Sequence, residues 1–124
     1  MRLGVRLAAE TKNGINELKN ILKNEKEYEG LNITNGFAVN RAFIETKGSD
    51  WEKIIKSPEI ITKNVDKKNL NIQTNLDVSQ ETIDEINELK KVFPKYLPQI
   101  SYVTTSYVIR IVIRSALLKR NHNK

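Results

Sequence analysis

The sequence predicts a mainly α-helical fold with one two-stranded antiparallel β-ribbon, built from two related units in a single chain. Three observations predict it: an internal repeat, a short segment of alternating polarity before each copy, and two stretches of helical character within each copy. At 124 residues, with 39% hydrophobic and 29% charged residues, the chain has the length and composition of one ordinary globular domain or two very small ones.

The internal repeat joins residues 10–19 to residues 81–90, which align without gaps. Seven of the ten positions are identical, among them the block Ile-Asn-Glu-Leu-Lys. Residues 33–39 align with residues 103–109 after a shift of one residue. This shift falls in a connection, where a change of length costs little. Chance similarity in a chain rich in Lys, Asn and Ile is the alternative explanation, and the shared order and spacing of the two copies argue against it.

Each unit opens with a short segment in which polar and apolar residues alternate, which is the pattern of a strand with one buried face. The predicted inward side chains are Leu3, Val5 and Leu7 in the first unit and Thr74, Leu76 and Val78 in the second. The predicted outward positions are Arg2, Gly4 and Arg6 in the first unit and Gln73, Asn75 and Asp77 in the second. If the two strands pair antiparallel with Gly4 opposite Asn75, Arg2 lies opposite Asp77 and Arg6 opposite Gln73.

The first helix of each unit is predicted over residues 10–24 and residues 79–92. Ser79 is a favourable N-cap for the second of these helices. Gly30 in the first unit and Pro94 with Pro98 in the second end the helical structure. Apolar residues at helical spacing predict the buried stripes. These are Ile15, Leu18 and Leu22 in the first helix, and Ile83, Ile86, Leu89 and either Val92 or Phe93 in its counterpart.

The second helix of each unit begins after a hydroxyl-rich cap, at Thr34-Asn35-Gly36 and at Thr104-Thr105-Ser106. The β-branched residues that follow the second cap are also compatible with a strand. Arg110 and Arg114 share one face of a helix, however, and the alignment with residues 39–44 favours a helix.

The units occupy residues 1–47 and 71–120, and a basic tail follows over residues 121–124. The linker between them, residues 48–70, is predicted to be partly helical around Trp51, whose side chain covers the core rather than serving as a binding platform.

The composition excludes several classes of function. The chain has no Cys, and its one His, His122, lies in a polar tail, so no catalytic set, metal site or cofactor site is predicted. No apolar run approaches the roughly 20 residues of a membrane span, and the N-terminal segment lacks the apolar core of a signal peptide. We therefore expect a cytoplasmic protein that is not an enzyme. The net charge of +6 favours a polyanionic partner.

The alternating strand, the segment Ser79-Gln80-Glu81 that leads into a helix, and residues 104–110 with their hydroxyl cap together resemble the ribbon-helix-helix proteins, the MetJ/Arc class of DNA binders. Members of this class usually dimerise to form the ribbon, whereas this chain carries both halves. It is similar in this respect to the TraY-type relaxosome accessory proteins of conjugative plasmids. The resemblance implies a single-chain pseudo-dimer made of tandem ribbon-helix-helix units.

The resemblance also implies a DNA-binding site. The outward ribbon positions Arg2, Gly4, Arg6, Gln73, Asn75 and Asp77 would read bases in the major groove, with Asp77 serving mainly to orient Arg2. The cap residues Thr34, Asn35, Gly36, Thr104, Thr105 and Ser106 would contact phosphate. We expect several copies to bind side by side on repeated sites of double-stranded DNA. The implied role is that of an accessory protein at the origin of transfer in plasmid conjugation or mobilisation.

A transcriptional repressor or an antitoxin-type regulator is the alternative role. A relaxase, a coupling protein or a toxin is the expected protein partner in these settings. Its predicted contact surfaces are the linker and residues 93–103, which include the aromatic residues Phe93, Tyr96 and Tyr102. No membrane insertion is expected.

Overall fold

The computed structural model describes residues 1–57, 72–98 and 101–122. Two strands and five α-helices lie in these residues, with short 3₁₀ turns at Lys26–Tyr28 and Phe93–Tyr96. The elements in chain order are β1 Arg2–Leu7, α1 Ala9–Lys23, α2 Asn35–Thr46, α3 Trp51–Ile55, β2 Ile72–Asp77, α4 Gln80–Val92 and α5 Thr105–His122. The fold is therefore mainly helical with one two-stranded sheet, and α5 is a helix rather than the alternative strand.

Strands β1 and β2 pair antiparallel and form the β-ribbon. Gly4 lies opposite Asn75, so the predicted register is confirmed, with Arg2 opposite Asp77 and Arg6 opposite Gln73. Because Gly4 and Asn75 are also equivalent positions of the repeat, the pairing is symmetric about its centre. The alternation of burial follows the sequence pattern: the six outward positions are exposed, and the inward side chains are buried apart from the half-buried Leu3.

Hydroxyl caps fix the starts of three helices, as the sequence predicts. The side chains of Thr34 and Ser79 accept hydrogen bonds from the backbone N–H groups of the third helical residue, Phe37 in α2 and Thr82 in α4. The Thr104 hydroxyl accepts an equivalent bond from the N–H of Tyr107, at 3.1 Å. Helix α1 begins instead after Ala8, which has no side chain that can cap it.

One hydrophobic core lies between the inner face of the ribbon and the helices. The predicted stripe residues of α1 are all fully buried, and in α4 the buried ones are Ile86 and Leu89, followed by Phe93. Trp51 is 8% exposed and its ring lies 5.4 Å from that of Phe93, so its predicted covering role is confirmed. The prediction that Phe93 belongs to a partner surface is wrong, because this ring fills the space between Trp51 and Tyr107.

The ends of the helices depart slightly from the prediction. Helix α4 ends at Val92, but the chain continues through Pro94 in a 3₁₀ turn, since proline is tolerated at the first positions of such a turn. Gly30 adopts a φ of 83°, the left-handed conformation that suits glycine at a break between elements. Helix α5 extends to His122 and so takes in the start of the predicted tail. The remainder of the tail and residues 58–70 of the linker lie outside the described residues.

None of the helices within the described residues is long and apolar enough to cross a membrane. In the same part of the chain, no group of three or more His, Cys, Asp or Glu side chains is arranged to hold a metal ion.

Candidate nucleic-acid interface

The outer face of the β-ribbon is polar and exposed, because the alternation of the strands directs most of the apolar side chains to the opposite, inner face. All six predicted base-reading positions lie on this face: Arg2, Gly4, Arg6, Gln73, Asn75 and Asp77. At its centre, a Cβ on Gly4 would lie 3.5 Å from both the Asn75 Oδ1 and the Gln73 Nε2 atoms. The two amide side chains therefore lie beside the central glycine, where their donors and acceptors are open to solvent.

The two ends of this face differ in charge. At one end Arg2 lies opposite Asp77, and the Asp77 carboxylate accepts a hydrogen bond from the amino group of Met1 at 3.1 Å. The carboxylate pairs with Met1 and not with Arg2, so the prediction that Asp77 orients Arg2 is wrong, and the Arg2 guanidinium is exposed. At the other end Arg6 lies opposite the neutral Gln73. The face consequently presents one arginine beside an acid and one arginine beside an amide.

The starts of α2 and α5 lie against opposite ends of the ribbon. Gly36 packs against the backbone of Asp77 so closely that a Cβ there would be 2.0 Å from the Asp77 carbonyl oxygen. Ser106 donates a hydrogen bond from its hydroxyl to the backbone carbonyl of Arg6. Gly36 and Ser106 are equivalent positions of the repeat, and so are Arg6 and Asp77. The second helix of each unit therefore begins in contact with the strand of the other unit, and the two contacts lie at equivalent positions of the repeat.

The two helix starts place the predicted phosphate-binding residues beside the ribbon. The Thr34 and Thr104 hydroxyls each accept a hydrogen bond from one backbone N–H group. The other N–H groups in the first turn of each helix have no partner within the helix itself. Together with the helix dipole they form a region of positive potential. Near α5 the ammonium group of Lys90 adds a full charge, with its Nζ 3.4 Å from the Thr105 hydroxyl.

The predicted phosphate residues are not equally accessible. Thr34 and Thr104 are exposed, whereas Gly36 is covered by β2. Asn35 is half-buried, and its Oδ1 has no hydrogen-bond partner in the described part of the chain. Gly36 therefore acts as a close-packing residue that fixes the position of the helix start, and the accessible groups at that end come from its neighbours.

Asn40, which is not among the predicted site residues, ties α2 to the start of α4. Its Oδ1 accepts hydrogen bonds from the Ser79 N–H at 3.0 Å and from the Thr82 hydroxyl at 2.7 Å. The sequence does contain a signal for this role, because Asn40 is a polar residue within an otherwise largely apolar stretch of helix. Its neighbours Val39 and Ala42 are both fully buried. Arg110 occupies the equivalent position in α5 and lies near Glu10 at the start of α1. Both positions thus connect a second helix to the first helix of the other unit.

The basic residues near the end of α5 are bound within the fold. Arg120 pairs with Glu45 at 2.6 Å and also with Glu25. The hydrogen bonds to Glu45 raise the pKa of Arg120, and those to Glu25 add to the effect. The Lys119 ammonium donates to the Glu45 carbonyl oxygen and to the Ser49 hydroxyl. These cations hold α5 against α2 and the residues that follow it, so they are not part of the polar face of the ribbon.

A comparison of the chain with protein-family models, with curated protein sequences and with solved structures found no match.

Proposed function

We propose that this protein binds double-stranded DNA sequence-specifically, with the β-ribbon in the major groove. The observation that carries the proposal is the exposed polar face of the ribbon with a helix start at each end. A two-stranded ribbon has the width that the major groove admits, and base edges in that groove present distinguishable donors and acceptors. The helix starts offer the N–H groups and hydroxyls with which proteins commonly contact phosphate.

The side chains on the face match base-reading chemistry. Arg2 and Arg6 are suited to bidentate contacts with guanine, and Gln73 and Asn75 to contacts with adenine. Each good bidentate pair discriminates against a wrong base by about 1–3 kcal/mol. Asp77 can accept only from cytosine N4 or from a neighbouring cation, and its contact with Met1 favours the second role. Base reading is therefore assigned mainly to the two arginines and the two amides.

The chain is proposed to act as a single-chain pseudo-dimer. The symmetric register about Gly4 and Asn75 and the matching contacts of Gly36 and Ser106 support this arrangement. Because the two halves differ in sequence, the DNA site need not be a palindrome. The protein would bind an asymmetric site in one orientation, with the Arg6 and Gln73 end and the Arg2 and Asp77 end on different base pairs.

The biological role that fits best with this proposal is that of an accessory protein at a plasmid origin of transfer, where several copies bind repeated sites. Repression of a promoter is the alternative. Footprinting on the DNA around its own gene and on any nearby transfer origin separates the two: repeated short sites at the origin favour the conjugation role, and sites that overlap a promoter favour repression.

The test of DNA binding is a mobility-shift titration on a site selected from random duplexes. Binding should weaken steeply with rising salt, because each phosphate contact releases counterions. Arg6→Ala should weaken binding to the selected site by about tenfold or more. Lys53→Ala is the matched control, since it removes one exposed positive charge from α3 and should leave affinity nearly unchanged. If the protein selects no site, or if neither rising salt nor Arg6→Ala weakens its binding to the selected site, the proposal is wrong.

A protein-binding role is a second candidate, and a groove between α2 and α4 favours it. The groove has a volume of about 620 Å³ and is lined by Phe37, Phe43 and Ile44, with Glu81 and Glu85 along α4. Ile44 is 59% exposed, so its side chain is accessible to a partner that enters this groove. Ile44→Asp should abolish capture of a relaxase, coupling protein or toxin encoded beside this protein while leaving DNA affinity intact. Loss of both activities, or of neither, would remove this candidate.

A further inference from the structure

Two grooves of the protein are lined by equivalent positions of the repeat, one between α1 and α5 and the other between α2 and α4. Several of these positions carry different side chains in the two grooves. The equivalent residues, with that of the α1–α5 groove first, are Glu10 and Glu81, Gly14 and Glu85, Arg114 and Ile44, and Leu117 and Lys47. The two halves of the molecule therefore present the same groove with different chemistry.

The α1–α5 groove is closed by an ion pair of its own. Arg114 and Glu10 form a close salt bridge across it, and the Arg114 side chain is 32% exposed. Gly14 also lets the two helices approach each other, since a Cβ there would lie 2.9 Å from the Ile113 Cγ2 atom. The acid at this groove thus has its cation within the chain.

The α2–α4 groove lacks this ion pair, because Ile44 stands where the other groove has Arg114. Glu81 keeps the position of Glu10, and neither Glu81 nor Glu85 forms an ion pair with any residue that the structure describes. Ile44 is 59% exposed, and α4 packs less closely against α2 than α1 packs against α5. An accessible apolar side chain and two unpaired carboxylates therefore line the same groove.

The spacing of these side chains matches a helix that lies along the groove. Phe37 and Ile44 both line it and are seven residues apart in α2, so they lie on one face, about 10 Å apart along the helix axis. Glu81 and Glu85 are four residues apart in α4 and lie one turn apart on one face. A partner helix has side chains at the same spacings of seven and four, which is how amphipathic helices enter apolar grooves.

The groove is acidic although the whole chain has a net charge of +6. Three acids line it: Glu27, Glu81 and Glu85. Of the two cations that line it, Arg41 pairs with Glu45 at 3.6 Å, and Lys47 is exposed where α2 ends. This surface repels a nucleic acid, whereas a protein segment with Lys or Arg side chains is complementary to it.

We infer that the α2–α4 groove binds a basic amphipathic helix of a partner protein. The apolar residues of that helix contact Phe37 and Ile44, and its Lys or Arg residues, four apart on the flank nearest α4, pair with Glu81 and Glu85. The partner thus supplies to Glu81 the cation that Arg114 supplies to Glu10. This inference rests on the protein-binding role given above as the second candidate function, and it does not depend on DNA binding.

The test uses two synthetic helical peptides with the same apolar face and opposite charges on its flanks. Both carry leucine at positions i, i+3 and i+7, and the flanking residues are lysine in one peptide and glutamate in the other. In NMR titrations of the whole chain, the basic peptide should give saturable shifts in α2 and α4 and bind about tenfold more tightly than the acidic one. No binding, equal affinities, tighter binding of the acidic peptide, or shifts centred on the ribbon or on α5 overturn the inference.

Variants of the groove sharpen the test. Ile44→Arg introduces the side chain that the other groove has and should abolish binding of the basic peptide, because the added guanidinium pairs with Glu81. Glu81→Gln combined with Glu85→Gln should reduce the preference for the basic peptide to about threefold or less. Asp84→Asn combined with Glu88→Gln is the matched control: these acids are also exposed on α4 and four residues apart, but they lie outside the groove, so the preference should be unchanged. Equal effects of the two double variants refute the assignment.

Failure of this inference can be told apart from failure of the functions proposed above. Capture of a partner protein that Ile44→Asp abolishes, together with no preference for the basic peptide, leaves the protein-binding role standing and overturns the basic helix as the occupant. A preference for the basic peptide that Ile44→Arg removes supports the inference even if the chain selects no DNA site.

Discussion

Replacement of Gly36 by alanine tests whether α2 is seated on the ribbon as described. The added Cβ would lie 2.0 Å from the carbonyl oxygen of Asp77, 2.8 Å from its carbonyl carbon and 3.0 Å from its nitrogen. Because packed heavy atoms rarely approach closer than about 3 Å, the two backbones would have to separate by about 1 Å. Backbone atoms cannot rotate away as the tip of a side chain can, so the cost lies near the upper end for overpacking, about 3 kcal/mol.

Alanine also favours the helix over glycine, by at most about 1 kcal/mol. The net loss in the free energy of unfolding is therefore about 2 kcal/mol, which for a chain of this size lowers the denaturation midpoint by about 8 °C. Gly14→Ala is the matched control in α1. There the nearest atom to the added Cβ is the Ile113 Cγ2 atom, at 2.9 Å, and a side chain can adjust, so its midpoint should change by less than about 4 °C.

Thermal unfolding followed by circular dichroism measures both midpoints. A Gly36→Ala variant that unfolds at or above the temperature of the unaltered chain would refute the seating of α2 on β2. Equal losses in Gly36→Ala and Gly14→Ala would show that the effect does not come from the contact with Asp77.

Three further predictions concern the helix caps, the link between the units and the response to alkaline pH. Thr34→Ala and Thr104→Ala should each lower the free energy of unfolding by about 1 kcal/mol in urea titrations; no change would mean that the caps do not hold. Asn40→Ala should cost about 2–3 kcal/mol in the same assay, because it leaves the Ser79 N–H and the Thr82 hydroxyl without their acceptor; a loss below 0.5 kcal/mol, roughly the effect of a surface substitution, would contradict the link. Burial raises the pKa of Tyr107 above its ordinary value of 10.0, so the stability it contributes is complete below about pH 10 and is lost as the pH rises through the folded-state pKa. Tyr107→Phe should therefore lose less stability than the unaltered chain between pH 9 and pH 11, and equal losses would contradict this.

The repeat narrows the possible registers of the ribbon but does not determine one. Once residues 10–19 are aligned with residues 81–90, Gly4 and Asn75 become equivalent, but so do Leu3 and Thr74, and Val5 and Leu76, and a symmetric antiparallel pair could be centred on any of these. The observed pairing places the centre at Gly4 and Asn75. The buried stripes and the hydroxyl caps were predictable because they depend on local spacing, which the helical period and the cap chemistry determine.

Contacts between distant residues could not be predicted in the same way. The sequence places Phe93 both in the buried stripe that follows Leu89 and in the aromatic surface of residues 93–103, and only the packing of α3 and α5 shows that Trp51 and Tyr107 enclose this ring. The spacing of Arg110 and Arg114 indicates one helical face but not its surroundings, and α1 covers the first of these far more than the second. Burial of a long charged side chain depends on which helix packs against it, and a local pattern does not contain that information.

The measurement that tests the central claim most directly is the coupling between Arg6 and guanine N7 in the selected DNA site. Each guanine is replaced in turn by 7-deazaguanine, which lacks this major-groove acceptor, and the affinities of the unaltered chain and of Arg6→Ala are compared. One replacement should weaken binding of the unaltered chain by about tenfold and leave Arg6→Ala unaffected, because the contact is already lost. If every replacement changes the two affinities by the same factor, Arg6 does not read the major groove and the proposed docking of the ribbon is wrong.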